Sequence, residues 1–419
     1  MRRRSALSVF TLLLTLMGAL TAASAGPRIL FDVNTGEVFD HREAFRRWHP
    51  ASVTKLMTAY TTFRAVEAGE LRLDSPITVT RYAASKPPSK MGWKPGSTVS
   101  LDNALKIIMV KSANDIATAI GDNVGGSEKA FAARMNAESA RLGMTGSHWV
   151  NASGLHDPAQ YTTARDLAIL VQAIRRDFPQ HAEYFSIDGI LVGKKVMKNF
   201  NTLMGRFEGA DGMKTGFICP SGFNLAASAT RDGRTLAAVV LGEMNAKVRA
   251  ERAAIMLADG FEHPPQGSPK LLQLKPHGEK REETTDLRPV VCGGEAAQTA
   301  SDAPEPAETL AAQPSLLVDL GGEKRIEKVG LGNAPGPYPK MFADAAGNPY
   351  ADVPLPTWRP DMPPPPGWQP IGPETAQPAT PPPEPAEPEA AQGDQAEVES
   401  PPAPSPTGKG DRLVRQRPS

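Results

Sequence analysis

Ser52 and Lys55 stand three residues apart in the stretch PASVTKLMTAY, residues 50 to 60. On a helix, positions i and i+3 share a face, so the lysine amine can reach the serine hydroxyl. A serine hydroxyl is a poor nucleophile until a neighbour takes its proton. An ordinary lysine is charged at neutral pH and cannot take it, but burial or a second cation nearby lowers a lysine pKa to about 7–8. A helix start also aims backbone N–H groups at the nucleophile, where negative charge develops. The pair alone is weak evidence, because a lysine three after a serine occurs by chance in many chains.

Two further groups supply what the pair lacks. Ser112-Ala113-Asn114 falls at a break between two helical patterns. A loop there would offer Ser112 as a proton relay between Lys55 and a leaving amine, and Asn114 as a holder of a substrate amide. Taken alone, these two are ordinary helix caps. Lys214-Thr215-Gly216 lies on an apparent strand, DGMKTGF. Gly212 and Gly216 let another chain approach that backbone closely, and an edge strand binds an extended peptide by adding it as one more strand. Lys214 and Thr215 would meet the negative end of such a peptide, and Lys214 would be the second cation that lowers Lys55. The backbone N–H groups of Ser52 and Phe217 would form an oxyanion hole. The plain alternative is a hairpin strand with an exposed lysine.

The elements that must position these groups are legible in outline. RILFDVNTGEVFDHR has alternating runs on either side of Asn34-Thr35-Gly36, a hairpin signal. A helix over Ser52 to about Ala68 follows, with Leu56, Tyr60 and Phe63 on one face and Gly69 closing it. Helical patterns recur in SLDNALKIIMVKS (capped by Ser100 or Asp102), NDIATAIGDNV, SEKAFAARMNAESARLG and TTARDLAILVQAIRRDF, the last stopped by Pro179. Short apolar runs come next, GMKTGFI, GFNLAASATRDG and RTLAAVVLGE, with RDGR a hairpin turn. KVRAERAAIMLADGF is a final helix. Hairpin, helices, strands, helix: that order predicts an α/β fold, an antiparallel sheet with helices on both sides.

Composition divides the chain. Lys plus Arg number 46 and Asp plus Glu 46, so the formal net charge is zero, and no basic excess points to nucleic acid. Residues 1–25 read as a signal peptide: Arg2 to Arg4, an apolar run too short to span a bilayer, then Ala-Ser-Ala ending at Ala25. The mature protein would begin at Gly26, outside the cytoplasmic membrane. Residues 26–262 form the catalytic unit. Residues 263–350 read as a weakly structured extension, with at most one weak strand in HPPQGSPKLLQLKPHGEKREETTDLRPVVCGG and a small hairpin in SLLVDLGGEKRIEKVGLG. Most of the 41 prolines fall after residue 263, and 351–419 is too poor in apolar residues to offset ordering entropy, so it reads as a disordered tail. The two cysteines, Cys219 and Cys292, would bridge in an oxidising compartment if their Cα atoms come within reach.

In order, the three groups match the S-x-x-K, S-D-N and K-T-G signature of class A β-lactamases and penicillin-binding proteins, with Ala113 in place of the aspartate. ASVTKLMTAY, KPGSTVSLDNALKIIMVKSANDIA, NASGLHDPAQYTTARDLAIL and DGMKTGFICPSGFNLAASATRDGRTLAAVVLG also resemble the D-alanyl-D-alanine carboxypeptidase family of low-molecular-mass penicillin-binding proteins, over roughly residues 26–261. The resemblance implies a β-lactamase/transpeptidase-like domain with a helical subdomain. It implies Ser52 as acylated nucleophile, Lys55 as general base, Ser112 and Asn114 as relay and binding groups, and Lys214 and Thr215 as holders of a terminal carboxylate. Arg249, seven residues after Gly242, is placed like the family arginine that helps hold that carboxylate; its other reading is a solvated helix charge. The implied substrates are peptidoglycan stem peptides, with β-lactam antibiotics as acylating inhibitors. No metal or cofactor motif is present and the reaction asks for none. His148 and His156 read as structural or solvated. Familiar members carry a β-rich second domain and a terminal amphipathic helix, neither of which is legible here, so membrane association stays open.

Three other readings compete. A D,D-endopeptidase cleaving cross-links would use the same residues. A serine β-lactamase lacks support, since no Glu-x-x-Leu-Asn pattern lies between Asn114 and Lys214. A non-catalytic envelope protein would have no need of the intact residue set.

Overall fold

The computed structural model describes residues 26–265, 267–278, 280–293 and 314–339. The segments read as signal peptide and Pro-rich tail lie outside them. The chain starts with the expected hairpin. The Asp32 carboxylate accepts from the N–H groups of Asn34 and Thr35, 2.9 Å each, a local bond that competes with strand and makes the turn. Strand β1 (Arg28–Asp32) thus folds back on β2 (Val38–Arg42). The other edge of β1 pairs antiparallel with β9 (Arg234–Glu243). Adding β8 (Gly222–Arg231) and β7 (Ala210–Ile218) gives a five-stranded antiparallel sheet of order β2-β1-β9-β8-β7. The KTG strand β7 is therefore an edge strand.

Both faces of this sheet are covered, and the period-two alternation of side chains shows how. Ile29 and Phe31 of β1, with Ala237, Val239 and Leu241 of β9, face the larger core. Leu30, with Leu236, Ala238 and Val240, faces a smaller one, which is closed by Ala250, Ala253, Ala254 and Leu257 of a single helix, Ala246–Glu262. The larger core is built by the remaining helices. Helix α1 (Thr54–Glu67) runs through it, nearly every residue buried. Helices α3 (Leu101–Val110), α4 (Asn114–Gly125), α5 (Glu128–Leu142) and α6 (Ala164–Asp177) surround it; α2 (Arg81–Ala84) is a single turn. Caps fall where short polar side chains precede the apolar runs: Ser100, Ser127 and Thr163 each accept a backbone N–H from the first turn. Ser100, and not Asp102, caps α3. The final helix α7 (Ala246–Glu262) is capped by Asn245.

Four short strands escaped the sequence reading. Strands β3 (Pro76–Thr78) and β4 (Thr98–Ser100) pair, as do β5 (Gly189–Val192) and β6 (Lys195–Lys198). They are too brief for alternation to stand out.

The extension corrects one expectation. SLLVDLGGEKRIEKVGLG is not a hairpin. Its second half is β10 (Ile326–Val329), which pairs parallel with β5, across the chain. Its first half runs beside the 205–206 turn, with Val318 N–H donating to the Arg206 carbonyl and Leu320 N–H to that of Gly205, 3.0 Å each. The two glycines between them look like a hairpin turn, but each half pairs instead with an earlier part of the chain. The preceding segment forms a 3-10 turn (Leu271–Gln273) and a short helix α8 (Arg288–Val291), with no strand among its described residues. Cys219 and Cys292 are bonded, Cα atoms 5.6 Å apart, which fastens α8 to the turn following β7.

Candidate active site

Ser52 lies in a 3-10 turn, Ala51–Val53, from which α1 springs at Thr54; the sequence placed the serine on the α-helix itself. Ala51 has φ +48° and Ser112 has φ +58°. Non-glycine residues in that region carry strain of about 1–3 kcal/mol each, and such residues gather at functional sites. Two glycines make the close packing possible. A Cβ on Gly154 would meet the Ala51 carbonyl oxygen at 1.9 Å, and one on Gly216 would meet the amides of Ser52 and Val53 at 3.0 Å. Strand β7 and the 151–155 loop thus clasp the serine turn from two sides.

Lys55 is fully buried. Its Nζ is 3.0 Å from Ser52 Oγ, 2.9 Å from Asn114 Oδ1 and 2.5 Å from the Ser153 carbonyl oxygen. Burial, and then the nearby Lys214 charge, push its pKa well down, against the pull of Asp115 and Glu128. A neutral amine has two N–H bonds and one lone pair. Asn114 Oδ1 and the Ser153 carbonyl can only accept, so they take the two N–H bonds and leave the lone pair facing the Ser52 hydroxyl.

Each of these partners is held in turn. Asn114 opens α4; its Nδ2 donates to the Pro87 carbonyl and its N–H to that of Ser89, at 3.1 and 2.6 Å. Both ends of its amide are thus engaged within the protein, so it orients the lysine as well as lining the cleft. Asn151 Oδ1 accepts from the N–H groups of Ser153 and Gly154. Glu128 accepts from Ala152 N–H and pairs with Lys86. The sequence reading singled out none of Ser89, Asn151 or Ser153. The available signal for the last two was an Asn-x-Ser-Gly turn ending in Gly154, at φ +84°.

Ser112 Oγ is buried and has no hydrogen-bond partner among the described residues, an expensive state for a hydroxyl unless a ligand or water completes it. It lines the same cleft as Ser52, Asn114, Thr215, Gly216, Phe217 and Arg249, a space of ≈ 410 Å³. All the sequence-predicted site residues are therefore together: seven line the cleft, and Lys55 and Lys214 sit buried behind it.

Lys214 is buried, not exposed. Its Nζ donates to the Thr215 carbonyl, 3.0 Å. Burial, with the Arg249 charge as a second cause, lowers its pKa to about 7. Arg249 is likewise buried, which brings it down to about 10. Its Nη atoms reach the Asn224 and Phe200 carbonyls only at 3.4 and 3.3 Å, and its Nε has no partner among the described residues. Among those residues no carboxylate pairs with Lys214 or Arg249. Two buried cations beside an open cleft make a receptor for an anion.

Residues 17–245 match the model of the family described as D-alanyl-D-alanine carboxypeptidase. The D-alanyl-D-alanine carboxypeptidase DacC of Escherichia coli is 34% identical over 240 residues, 56% of this chain and 60% of that protein. The chain thus spans less than two thirds of that relative's length. Penicillin binding protein 6B from Escherichia coli superposes with a TM-score of 0.55 at 32% identity, over 58% of this chain and 79% of that one. Penicillin-Binding Protein D2 from Listeria monocytogenes, solved in an ampicillin-bound form, gives 0.51 at 28% identity, over 58% and 99%. The chain belongs to the D-alanyl-D-alanine carboxypeptidase family.

Proposed function

We propose that this protein is a serine D,D-carboxypeptidase that removes the terminal D-alanine from peptidoglycan stem pentapeptides. One observation carries the reading: the fully buried Lys55 Nζ, within hydrogen-bond reach of the Asn114 Oδ1 and Ser153 carbonyl acceptors, stands 3.0 Å from Ser52 Oγ. Ser52 gives its proton to Lys55 and attacks the carbonyl between the last two D-alanines. The backbone N–H groups of Ser52 and Phe217 hold the oxyanion. The proton passes from Lys55 through the unpartnered Ser112 hydroxyl to the leaving amine, and D-alanine departs. Water then hydrolyses the ester. Lys214, Thr215 and Arg249 hold the substrate's terminal carboxylate, and the stem peptide lies along the free edge of β7. β-Lactams acylate the same serine and stay.

The protein acts in the cell envelope after export. The Cys219–Cys292 bridge supports an oxidising compartment, and no helix among the described residues is long and apolar enough to cross a membrane. The test is a digest of pentapeptide-rich sacculi by purified protein beside Ser52→Ala, followed by muropeptide separation. Loss of terminal D-alanine from monomers by the wild type alone is the expected result. Unchanged monomers would overturn the reading.

A further inference from the structure

Two histidines that do not line the cleft bear on its geometry. His49 lies three residues before Ser52 and is buried. His156 lies two residues after Gly154, on the loop that clasps the serine turn. Their rings meet edge to face, with centroids 5.0 Å apart. The His49 backbone is tied to the sheet, its carbonyl accepting from Asn224 Nδ2 of β8 at 2.9 Å. Its ring is tied to the loop. A carbonyl only accepts, so His49 Nδ1 donates to the Gln160 carbonyl, at 3.2 Å.

From Gln160 a chain of bonds runs to the catalytic amine. Gln160 Oε1 accepts from the N–H groups of Val150 and Asn151, 2.8 Å each. Asn151 Oδ1 accepts from those of Ser153 and Gly154. The Ser153 carbonyl then accepts from Lys55 Nζ. The two rings therefore seat the loop whose carbonyl orients the base.

Charge opposes that seat when the rings are protonated. The groups that act on His49 are His156 on the loop and Asp286 and Arg288 in the extension. Burial, and then the His156 and Arg288 charges, lower its pKa, against the pull of the Gln160 carbonyl and Asp286. A released loop would free His49 of both burial and its neighbour, so it would bind the proton more tightly, and acid favours release.

We propose that His49 and His156 are positioning residues for acylation: neutral, they seat the 151–160 loop against the serine turn, and protonated, they repel, so that the Ser153 carbonyl withdraws from Lys55. The inference rests on the acyl-enzyme reading above.

The test measures acylation of the full chain by a chromogenic β-lactam across pH 5 to 8, for wild type, His156→Ala and His156→Phe. His156 is exposed, so neither substitution opens the core. His156→Ala should be slower at pH 7 by about threefold or more, because a slightly misplaced base is costly. His156→Phe keeps an edge-to-face ring without the charge. It should restore the pH 7 rate to within about twofold and hold its rate at pH 5 about threefold better than wild type, relative to pH 7. The His49 ring resonance, followed by NMR, should meanwhile titrate at a higher pH in His156→Phe, since the repelling neighbour is gone. An acid-side decline identical in wild type and His156→Phe would assign it to Lys55 alone and overturn the proposal. So would His156→Ala at the wild-type rate, or His156→Phe as slow as His156→Ala. A wild-type protein that the β-lactam fails to acylate at any pH would remove the acyl-enzyme reading as well.

Discussion

The two buried lysines of the cleft make an instructive pair. Both are removed from water, and in both burial is the main force lowering the pKa. Lys55 has three partners within 3.0 Å; Lys214 has one, the carbonyl of the next residue. Burial and the Lys214 charge push Lys55 well below the ordinary lysine range. Lys214, at about 7, stands at the midpoint of its titration near neutral pH, and an arriving carboxylate favours its charged form. In the proposed mechanism one residue type supplies both the base and the anion receptor, each lowered first by burial and then by a neighbouring cation, Lys214 beside Lys55 and Arg249 beside Lys214.

That contrast can be broken at several points. The largest effect belongs to Ser52→Ala, which should abolish the covalent β-lactam adduct altogether, as intact-protein mass spectrometry would show; an adduct of unchanged mass would place the nucleophile elsewhere. Lys55→Arg keeps a cation but cannot accept a proton. It should slow acylation by about 10²–10⁴-fold, measured by stopped-flow with a chromogenic β-lactam, while preserved circular dichroism would exclude unfolding.

Lys214→Gln should act through binding. A charge-assisted hydrogen bond contributes about 1.5–3 kcal/mol, so kcat/KM on a carboxylate-ended peptide should fall about 10–100-fold, and far less on the matching C-terminal amide. The pH profiles sharpen the point. Below about 7 Lys214 is protonated and attracts the carboxylate; above it the attraction fades, so the wild-type profile should fall on that side. This descending limb should vanish in Lys214→Gln and with the amide substrate. Stability moves the other way. Between about 7 and the ordinary 10.5 the unfolded lysine binds more protons than the native one, so stability rises with pH across that window. Denaturant midpoints of Lys214→Gln should rise less steeply there, with Lys55 still contributing its share. The smallest catalytic effect should come from Cys219→Ser, a few-fold in acylation rate, because the bridge touches only the turn beyond Phe217.

What the sequence made legible was set by range. Ser52 and Lys55 are one turn apart, and the hairpin at Asn34 is local, so both could be read from spacing. The KTG strand announced itself by its glycines and by the Asp-Gly turn after its neighbour. Ser153 and Asn151 were hidden because they act through backbone atoms, and a carbonyl that takes a proton from Lys55 carries no side-chain signature. Strand β10 was hidden for another reason: its four residues pair with a segment whose own pattern is equally brief, and only the assembled fold brings the two edges together. The KTG setting put Lys214 in the cleft, but its burial beside Arg249 is a product of the assembled fold.

The bond between Cys219 and Cys292 has a consequence for how the chain withstands cutting. It spans 73 residues, and closing a loop of that length is worth roughly 4 kcal/mol in the chain-entropy model. Both the end of α7 at Glu262 and the connecting stretch before Leu287 lie inside that loop. A protease that nicks the backbone there does not free the downstream fragment: α8 remains fastened beside the strand that carries Lys214. The severed halves would run as one species until a reductant is added, and only then separate.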